Sequence, residues 1–310
     1  MNPKKHIQFI KNLAERKRWE IKLELLSTFF QRPHLRFVYC PITLSDGKKA
    51  FFKYAPSSSL FSNLEREREF LLFFQKKLPG LAPKVLDFGH SWVLFEFLEK
   101  GVICEGEKTS VLKLKWAEKL VKTISRLQNF SPPFPKKLLD LSRHQKNYDN
   151  LEKVKKIILE RISFLKKNNL PTPLPYQKIE KFIEGLEEER GRRIVVHGDL
   201  APNNVFFAED GRVIFLDWEY VSLNPNLTLA STFDFANFYL RCWQNPKFQK
   251  HFRERFLETK VSRSRLTLGV VFLGVSQLYH LWRKREEEKE YLKRHISALT
   301  DKIREELLGV

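Results

Sequence analysis

Apolar residues along the chain follow two different periods, and the change between them divides it. Residues 3 to 18 carry apolar positions at helical spacing on a basic background and predict an amphipathic helix. From Trp19 the spacing tightens to Ile21, Leu23 and Leu25, the alternation of a strand. Leu35 to Leu44 predicts a second strand, Ser45-Asp46-Gly47-Lys48 a tight turn, and Lys49 to Ala55 a third strand, which carries Lys53. The next helix, about 60 to 78, has an apolar stripe at Leu60, Leu64, Leu71, Phe74 and Leu78, and Glu67 fills the missing step. A carboxylate on a buried stripe needs a partner, because buried charge is tolerated only when paired and hydrogen-bonded. Lys53 is the obvious one; Glu65 and Glu69 lie off the stripe, with Glu69 the second choice. Val85-Leu86 and Trp92 to Leu98 predict two more strands. Beyond them helical spacing dominates: 109 to 128, two Lys- and Glu-rich helices within 138 to 190, and further helices over 233–243, 248–257, 266–282 and 286–308. The expected architecture is α+β, a small N-terminal lobe (1–97) of antiparallel sheet and helix and a larger, mainly helical C-terminal lobe (98–310).

One predicted hairpin interrupts the helical part. Ile194 to Val196 runs into His197-Gly198-Asp199; Val205 to Phe207 turns at Glu209-Asp210-Gly211 and returns through Val213 to Leu216. Asp-Gly between two apolar runs signals a hairpin, and folding it back is expected to bring Asn204 beside Asp217. An amide oxygen and a carboxylate then converge, which suits Mg2+, a hard cation held by one or two carboxylates and substrate phosphates. Asp199, on the loop leading in, is placed to accept the proton of an attacking hydroxyl. Singly, each of these is an ordinary turn residue. Jointly, the set at fixed offsets arises by chance on the order of once in a thousand chains at ordinary residue frequencies.

His197-Gly198-Asp199 with Asn204 reads H-G-D-x4-N, and Leu216-Asp217-Trp218-Glu219 follows. In these motifs the sequence resembles the aminoglycoside phosphotransferase and choline kinase family, small-molecule relatives of protein kinases. Glu219-Tyr220 and Asp234-Phe235-Ala236-Asn237 are similar to the choline kinase branch. The resemblance implies a protein-kinase-like bilobal fold and transfer of the γ-phosphoryl group of ATP, with Mg2+, to a small-molecule hydroxyl. It implies that Lys53, positioned by Glu67, contacts the α- and β-phosphates and that Asp199 orients and deprotonates the acceptor. Asn204 and Asp217 would be metal ligands, with Glu219 a third ligand or a support for them. Phe95-Glu96-Phe97-Leu98 resembles the hinge, where Glu96 and Leu98 would offer backbone hydrogen bonds to adenine. His197 is expected to be structural and Asp234 a helix cap or a brace for the loop. One stretch departs from the pattern: Ser27 to Pro33 holds no glycine where kinase-like enzymes cover the phosphates with a Gly-rich turn, and Pro33 lacks a backbone donor. Either Ser27, Thr28 and Arg32 substitute with side chains, or the chain is a catalytically weak pseudokinase acting as a binding module.

Composition narrows the partners. At 310 residues and 42% hydrophobic content a sizeable core is affordable. Lys and Arg number 56 against 37 Asp and Glu, a net charge of +19 that favours anionic partners: nucleotide, phosphorylated metabolite, nucleic acid or an anionic membrane surface. A basic nucleic-acid-binding protein is the third class considered, but no reading motif accompanies the charge. Cys40, Cys104 and Cys242 stand far apart, which argues against a zinc site or disulfide framework and for a cytoplasmic setting. The N-terminus is too polar for a signal peptide, and Leu266 to Trp282 is too short and interrupted for a membrane span. Arg241 to Arg294 holds fourteen Lys or Arg against six Glu, which ranks a sugar or anionic glycoconjugate above a polycationic aminoglycoside as acceptor. Tyr239 and Trp243, with Trp218 and Tyr220, offer a competing aromatic surround for a quaternary amine such as choline.

Overall fold

The computed structural model describes residues 3–22, 36–104, 108–142, 149–168, 170, 174–259, 261–283 and 289–308. The chain forms two compact units, Met1–Val102 with Ala208–Tyr220, and Ile103–Phe207 with Val221–Val310. The glycine-free stretch at 27–33 lies outside the described residues.

In the first unit, helix α1 (Pro3–Lys17) precedes a five-stranded sheet of β1 (Glu20–Ile21), β2 (Val38–Thr43), β3 (Lys49–Tyr54), β4 (Val85–Phe88) and β5 (Trp92–Glu96). The spatial order is β1-β2-β3-β5-β4, every pair antiparallel. Gly47 closes the β2–β3 turn at φ 78°, with the Leu44 N–H on the Lys48 carbonyl at 2.8 Å. Alternation along β3 sorts the side chains: Ala50, Phe52 and Tyr54 join Val38, Cys40, Ile42, Trp92 and Leu94 in a core covered by Ile10 and Leu13 of α1. Lys53 therefore faces the other way, and there it meets α2 (Phe61–Lys77), which buries Leu64, Glu67, Phe70, Leu71 and Phe74. Segment 208–220 completes this unit. Its turn, with Gly211 at φ 87°, is closed by the Ala208 N–H on the Arg212 carbonyl at 3.0 Å, and the Phe215 N–H reaches the Leu81 carbonyl at 2.8 Å.

The second unit is mainly helical: α3 (Leu114–Asn129), α4 (Lys136–Ser142), α5 (Leu151–Lys167), α6 (Tyr176–Glu184), α7 (Leu227–Arg241), α8 (Pro246–Leu257), α9 (Arg263–Arg283) and α10 (Lys289–Leu308). Strands β6 (Gly101–Ile103) and β8 (Val205–Ala208) each straddle a boundary between units, and β9 (Val213–Phe215) belongs to the first. Strand β7 (Arg190–Val196) pairs antiparallel with β10 (Ser222–Asn226), Val196 opposite Ser222. The apolar spacing does not predict β10, because Pro225 and two asparagines occupy it; the register shifts between Asn224 and Asn226, where Pro225 has no N–H to give.

Helix α7 begins at Leu227, six residues before the expected start at Phe233, because Asn226 caps it by accepting the Thr228 N–H at 3.1 Å. Asp234 therefore lies inside the helix and is not its cap. Buried residues surround α7 on all sides, Leu229, Phe233, Phe235, Phe238 and Leu240 among them. Helix α9 likewise buries Leu266 to Ser276; among the described residues no helix is long and apolar enough to cross a membrane.

Candidate active site

The first unit gathers charge around Lys53. Its Nζ donates to Glu67 Oε2 and to Asp217 Oδ1, both at 2.6 Å, and the side chain is only 1% exposed. Glu67 is thus the carboxylate on the stripe that meets the lysine, while Glu69 accepts from Arg68 at 2.7 Å. Glu67 Oε1 also accepts the Trp218 N–H at 3.0 Å, so α2 holds the residue after Asp217 as well as the lysine. Burial alone would lower the Lys53 pKa, but Glu67, Asp217 and Tyr39 outweigh it and hold the ammonium well above the ordinary lysine range. The Phe37 and Tyr39 rings lie 4.4 and 5.4 Å from Nζ and roof the cation.

Asp217 follows β9 with φ at 57°, the left-handed region that Asp tolerates better than most residues, and its side chain is 29% exposed. Trp218 locks this corner by packing on Phe74 at 4.9 Å and donating Nε1–H to the Phe215 carbonyl at 2.8 Å. Glu219 points away into its own set: Oε1 pairs with Arg36 at 3.2 Å, Oε2 accepts from Asn63 at 3.3 Å, and its carbonyl accepts from Arg66 at 2.7 Å. Burial, then the Asp217 charge, raises the Glu219 pKa. Glu96 ends β5, its N–H on the Lys84 carbonyl and its carboxylate accepting the Lys84 N–H, both at 2.9 Å; Leu98 follows just past the strand.

The second unit builds its cluster on the loop after β7. Gly198 takes φ 87°, which only glycine adopts freely, and so the His197 and Gly198 N–H groups both point at Asp234, at 2.8 and 3.0 Å. Asp234 braces the loop from α7. Burial pushes its pKa up to about 7, against the two N–H bonds, which lower it. His197 is fully buried and accepts the Asp199 N–H on Nδ1 at 3.3 Å, which makes Nδ1 its unprotonated nitrogen. Asn204 closes the short 3₁₀ turn Pro202–Asn204, and its Nδ2 donates to the Asp199 carbonyl at 2.8 Å. That bond fixes the amide orientation; Oδ1, which accepts from Asn203 Nδ2 at 3.2 Å, keeps a second lone pair and is the end able to ligate a cation. Asn204 belongs to the second unit and Asp217 to the first.

Several neighbours have no role assigned from the sequence, although Asn237 ends the Asp234-to-Asn237 motif. Asp199 Oδ1 lies 3.4 Å from both Asn237 Nδ2 and Arg241 Nη2, and Gln277 reaches Asn237 Oδ1 at 3.4 Å. The available signals are that motif and the four-residue spacing of Asn237 and Arg241 on one helix. Arg36, Asn63 and Arg66 had no comparable signal. The aromatic surround is corrected: Trp218 and Tyr239 are core side chains, Tyr239 stacking on Phe235 at 5.7 Å, and Trp243 stacks on His295 at 5.1 Å. Tyr239 lies on a helix buried all round, which has core to fill on every side, and Trp243 falls beyond the end of that helix at Arg241.

A sequence profile of the phosphotransferase enzyme family matches residues 42–260, more than half of the chain. Among curated proteins, none matches at a significant level. Among solved structures, the macrolide 2'-phosphotransferase MphH from Brachybacterium faecium is 10% identical over 95% of this chain and 98% of its own, with a TM-score of 0.60. APH(2")-IIia, solved with GDP and kanamycin, is 15% identical over 92% and 98%, with a TM-score of 0.56. An ethanolamine kinase from Plasmodium vivax is 12% identical over 87% and 80%, with a TM-score of 0.51. At these identities the likeness is one of fold, α+β and protein-kinase-like. The profile match is a likeness of sequence, and residues 42–260 take in Lys53, Glu67, Asp199, Asn204, Asp217 and Asp234 alike. The chain belongs to the phosphotransferase enzyme family.

Proposed function

We propose that the protein is an ATP-dependent small-molecule kinase that transfers the γ-phosphoryl group to a hydroxyl of a sugar, glycoconjugate or amino alcohol. The observation that carries this reading is the buried Lys53 ammonium held between Glu67 and Asp217. A lysine fixed in this way is a permanent positive charge for nucleotide phosphates, and phosphoryl transfer depends mostly on positioning and charge stabilisation. Glu96 and Leu98 offer backbone groups to adenine. The carboxylate of Asp217 and the Oδ1 of Asn204 are oxygen donors of the kind Mg2+ takes, whereas Glu219, with both oxygens accepting protein donors, serves better as a support. Mg2+, when bound, neutralises charge on the β- and γ-phosphates.

In this reading Asp199 takes the proton of the acceptor hydroxyl as its oxygen attacks phosphorus. The loop carrying it is held by Asp234 and Asn204, so the carboxylate meets the hydroxyl without first having to be ordered. Free, buried Cys40, Cys104 and Cys242 fit a cytoplasmic setting. Asp199→Asn is expected to lower turnover about 10²- to 10⁴-fold with ATP affinity retained. Asp217→Ala is expected to abolish Mg2+-dependent ATP binding by calorimetry. Wild-type turnover in the first variant, or unchanged binding in the second, would remove the corresponding role.

A binding-module reading draws support from the Phe37 and Tyr39 rings over Lys53. It requires nucleotide binding without turnover, with Asp199→Asn indistinguishable from wild type in every transfer assay.

A further inference from the structure

Beside the proposed base stands a cation that the base does not need. Arg241, in the last turn of α7, brings Nη2 to 3.4 Å from Asp199 Oδ1 and donates Nε–H to Asn237 Oδ1 at 3.3 Å. Its side chain is 36% exposed and that of Asp199 33%. Had neutralising Asp199 been its task, a short bidentate pair would be expected, since Arg and carboxylate favour two parallel bonds near 2.7–2.9 Å. A single long contact between groups about one-third exposed is worth little to stability. A positive charge beside a carboxylate also makes it a poorer base. The guanidinium carries five N–H donors, and the contacts above occupy two of them. Among the described residues Asp199 is the only carboxylate in ion-pair range of Arg241. The imidazole of His295 is buried, and burial followed by Arg241 pushes its pKa down to about 4, so it stays neutral and adds no charge beside Arg241.

We propose that Arg241 is a specificity-determining residue that binds an anionic group, carboxylate or phosphate, carried by the acceptor near the hydroxyl presented to Asp199. This rests on the kinase reading for the role of Asp199 and extends it to the acceptor. An acceptor whose hydroxyl reaches Asp199 places its neighbouring substituents within reach of the guanidinium. An anion there gains a charge-assisted hydrogen bond, and an ammonium is repelled.

The test measures binding of four hexoses to the full chain by calorimetry: glucuronate, glucose 6-phosphate, glucose and glucosamine. At least one anionic hexose is expected to bind 10- to 100-fold more tightly than glucose, about the worth of a charged hydrogen bond. Arg241→Gln should remove that preference, and Arg241→Lys should restore part of it. Comparison of the two anions separates a carboxylate from a phosphate ligand. Equal binding of all four, no binding of either anion, tighter binding of glucosamine, or a preference untouched by Arg241→Gln would overturn the proposal. Because this readout needs no turnover, its failure is distinguishable from failure of the kinase reading. That reading is judged separately, by Mg-ATP hydrolysis in wild type against Asp199→Asn.

Discussion

Taking the Lys53 ammonium out of water costs several kcal/mol, and Glu67 and Asp217 offset that cost only while both remain in place. Glu67→Ala leaves the lysine with one carboxylate and removes the acceptor of the Trp218 N–H. An expected loss of about 3–5 kcal/mol follows, read from the urea midpoint. Lys53→Met combined with Glu67→Leu removes the buried pair together and should lose less than Glu67→Ala alone, since the penalty lies in an unpaired charge rather than in the absence of a bridge. If the double variant is the less stable, the pair contributes more than mutual neutralisation. The sign for pH is that of a raised lysine pKa. This contribution is fully present below the unfolded lysine value of about 10.4 and fades only as pH rises through the still higher folded value. The ammonium itself stays charged through neutrality, whereas burial, opposed by Lys53, pushes the Glu67 carboxyl up to about 7, so the share of Glu67 declines as pH rises from about 4 to about 7.

Helix α7 also carries a buried carboxyl, Asp234, whose pKa is raised into the neutral range. Folded, the carboxyl has its pKa raised by burial to about 7; unfolded, it ionises near 3.9. Between those values the folded chain holds an extra proton, so Asp234's contribution to stability declines as pH rises from about 4 to about 7 and then levels off. Its hold on the His197 and Gly198 N–H groups runs the other way, being strongest when the carboxylate is charged. Turnover is therefore expected to fall below about pH 7 as the brace loses charge, and Asp234→Asn should flatten that limb and lower turnover at pH 8. A limb that persists in Asp234→Asn belongs to another group. The same helix marks the edge of what sequence can convey. The Lys53–Glu67 pairing is legible because a strand and an amphipathic helix each have one buried face, so a gap in one stripe points at the other. The loop from His197 to Asn204 is legible because its geometry is local, set by a glycine and a short turn. The directions of Asn237, although it ends the Asp234-to-Asn237 motif, and of Arg241 are not: α7 is buried all round, so periodicity gives its polar positions no direction. The start of α7 at Asn226 is hidden for a related reason, since β10 runs straight into the helix and leaves no loop to announce a cap. Phe37, Arg36 and Asn63 come to Lys53 and Glu219 through tertiary packing alone, which no window of sequence contains.

Over the whole molecule, 56 basic residues face 37 acidic ones, so at least nineteen cations have no acid of their own. Many carboxylates are already committed to short-range pairs, as in Lys122–Glu118, Lys153–Asp149, Lys155–Glu152 and Lys302–Glu305. Each exposed pair of this type adds little, but the uncompensated excess acts through its summed field, which opposes the compact state and draws in polyanions. Salt at about 0.1 M shortens the reach of that field to about 10 Å. Raising NaCl from about 0.02 to about 0.5 M is therefore expected to move the urea midpoint upward, the reverse of what a fold dependent on exposed ion pairs would do. The buried Lys53 cluster is screened much less and should not mask the trend. Over the same range, adsorption to anionic vesicles or to a nucleic acid homopolymer should fall steeply, as it does when binding is driven by counterion release. The homopolymer should also leave Mg-ATP turnover unaffected once salt has removed it. A homopolymer complex that survives about 0.5 M NaCl would point to a built nucleic-acid site and against a surface field alone.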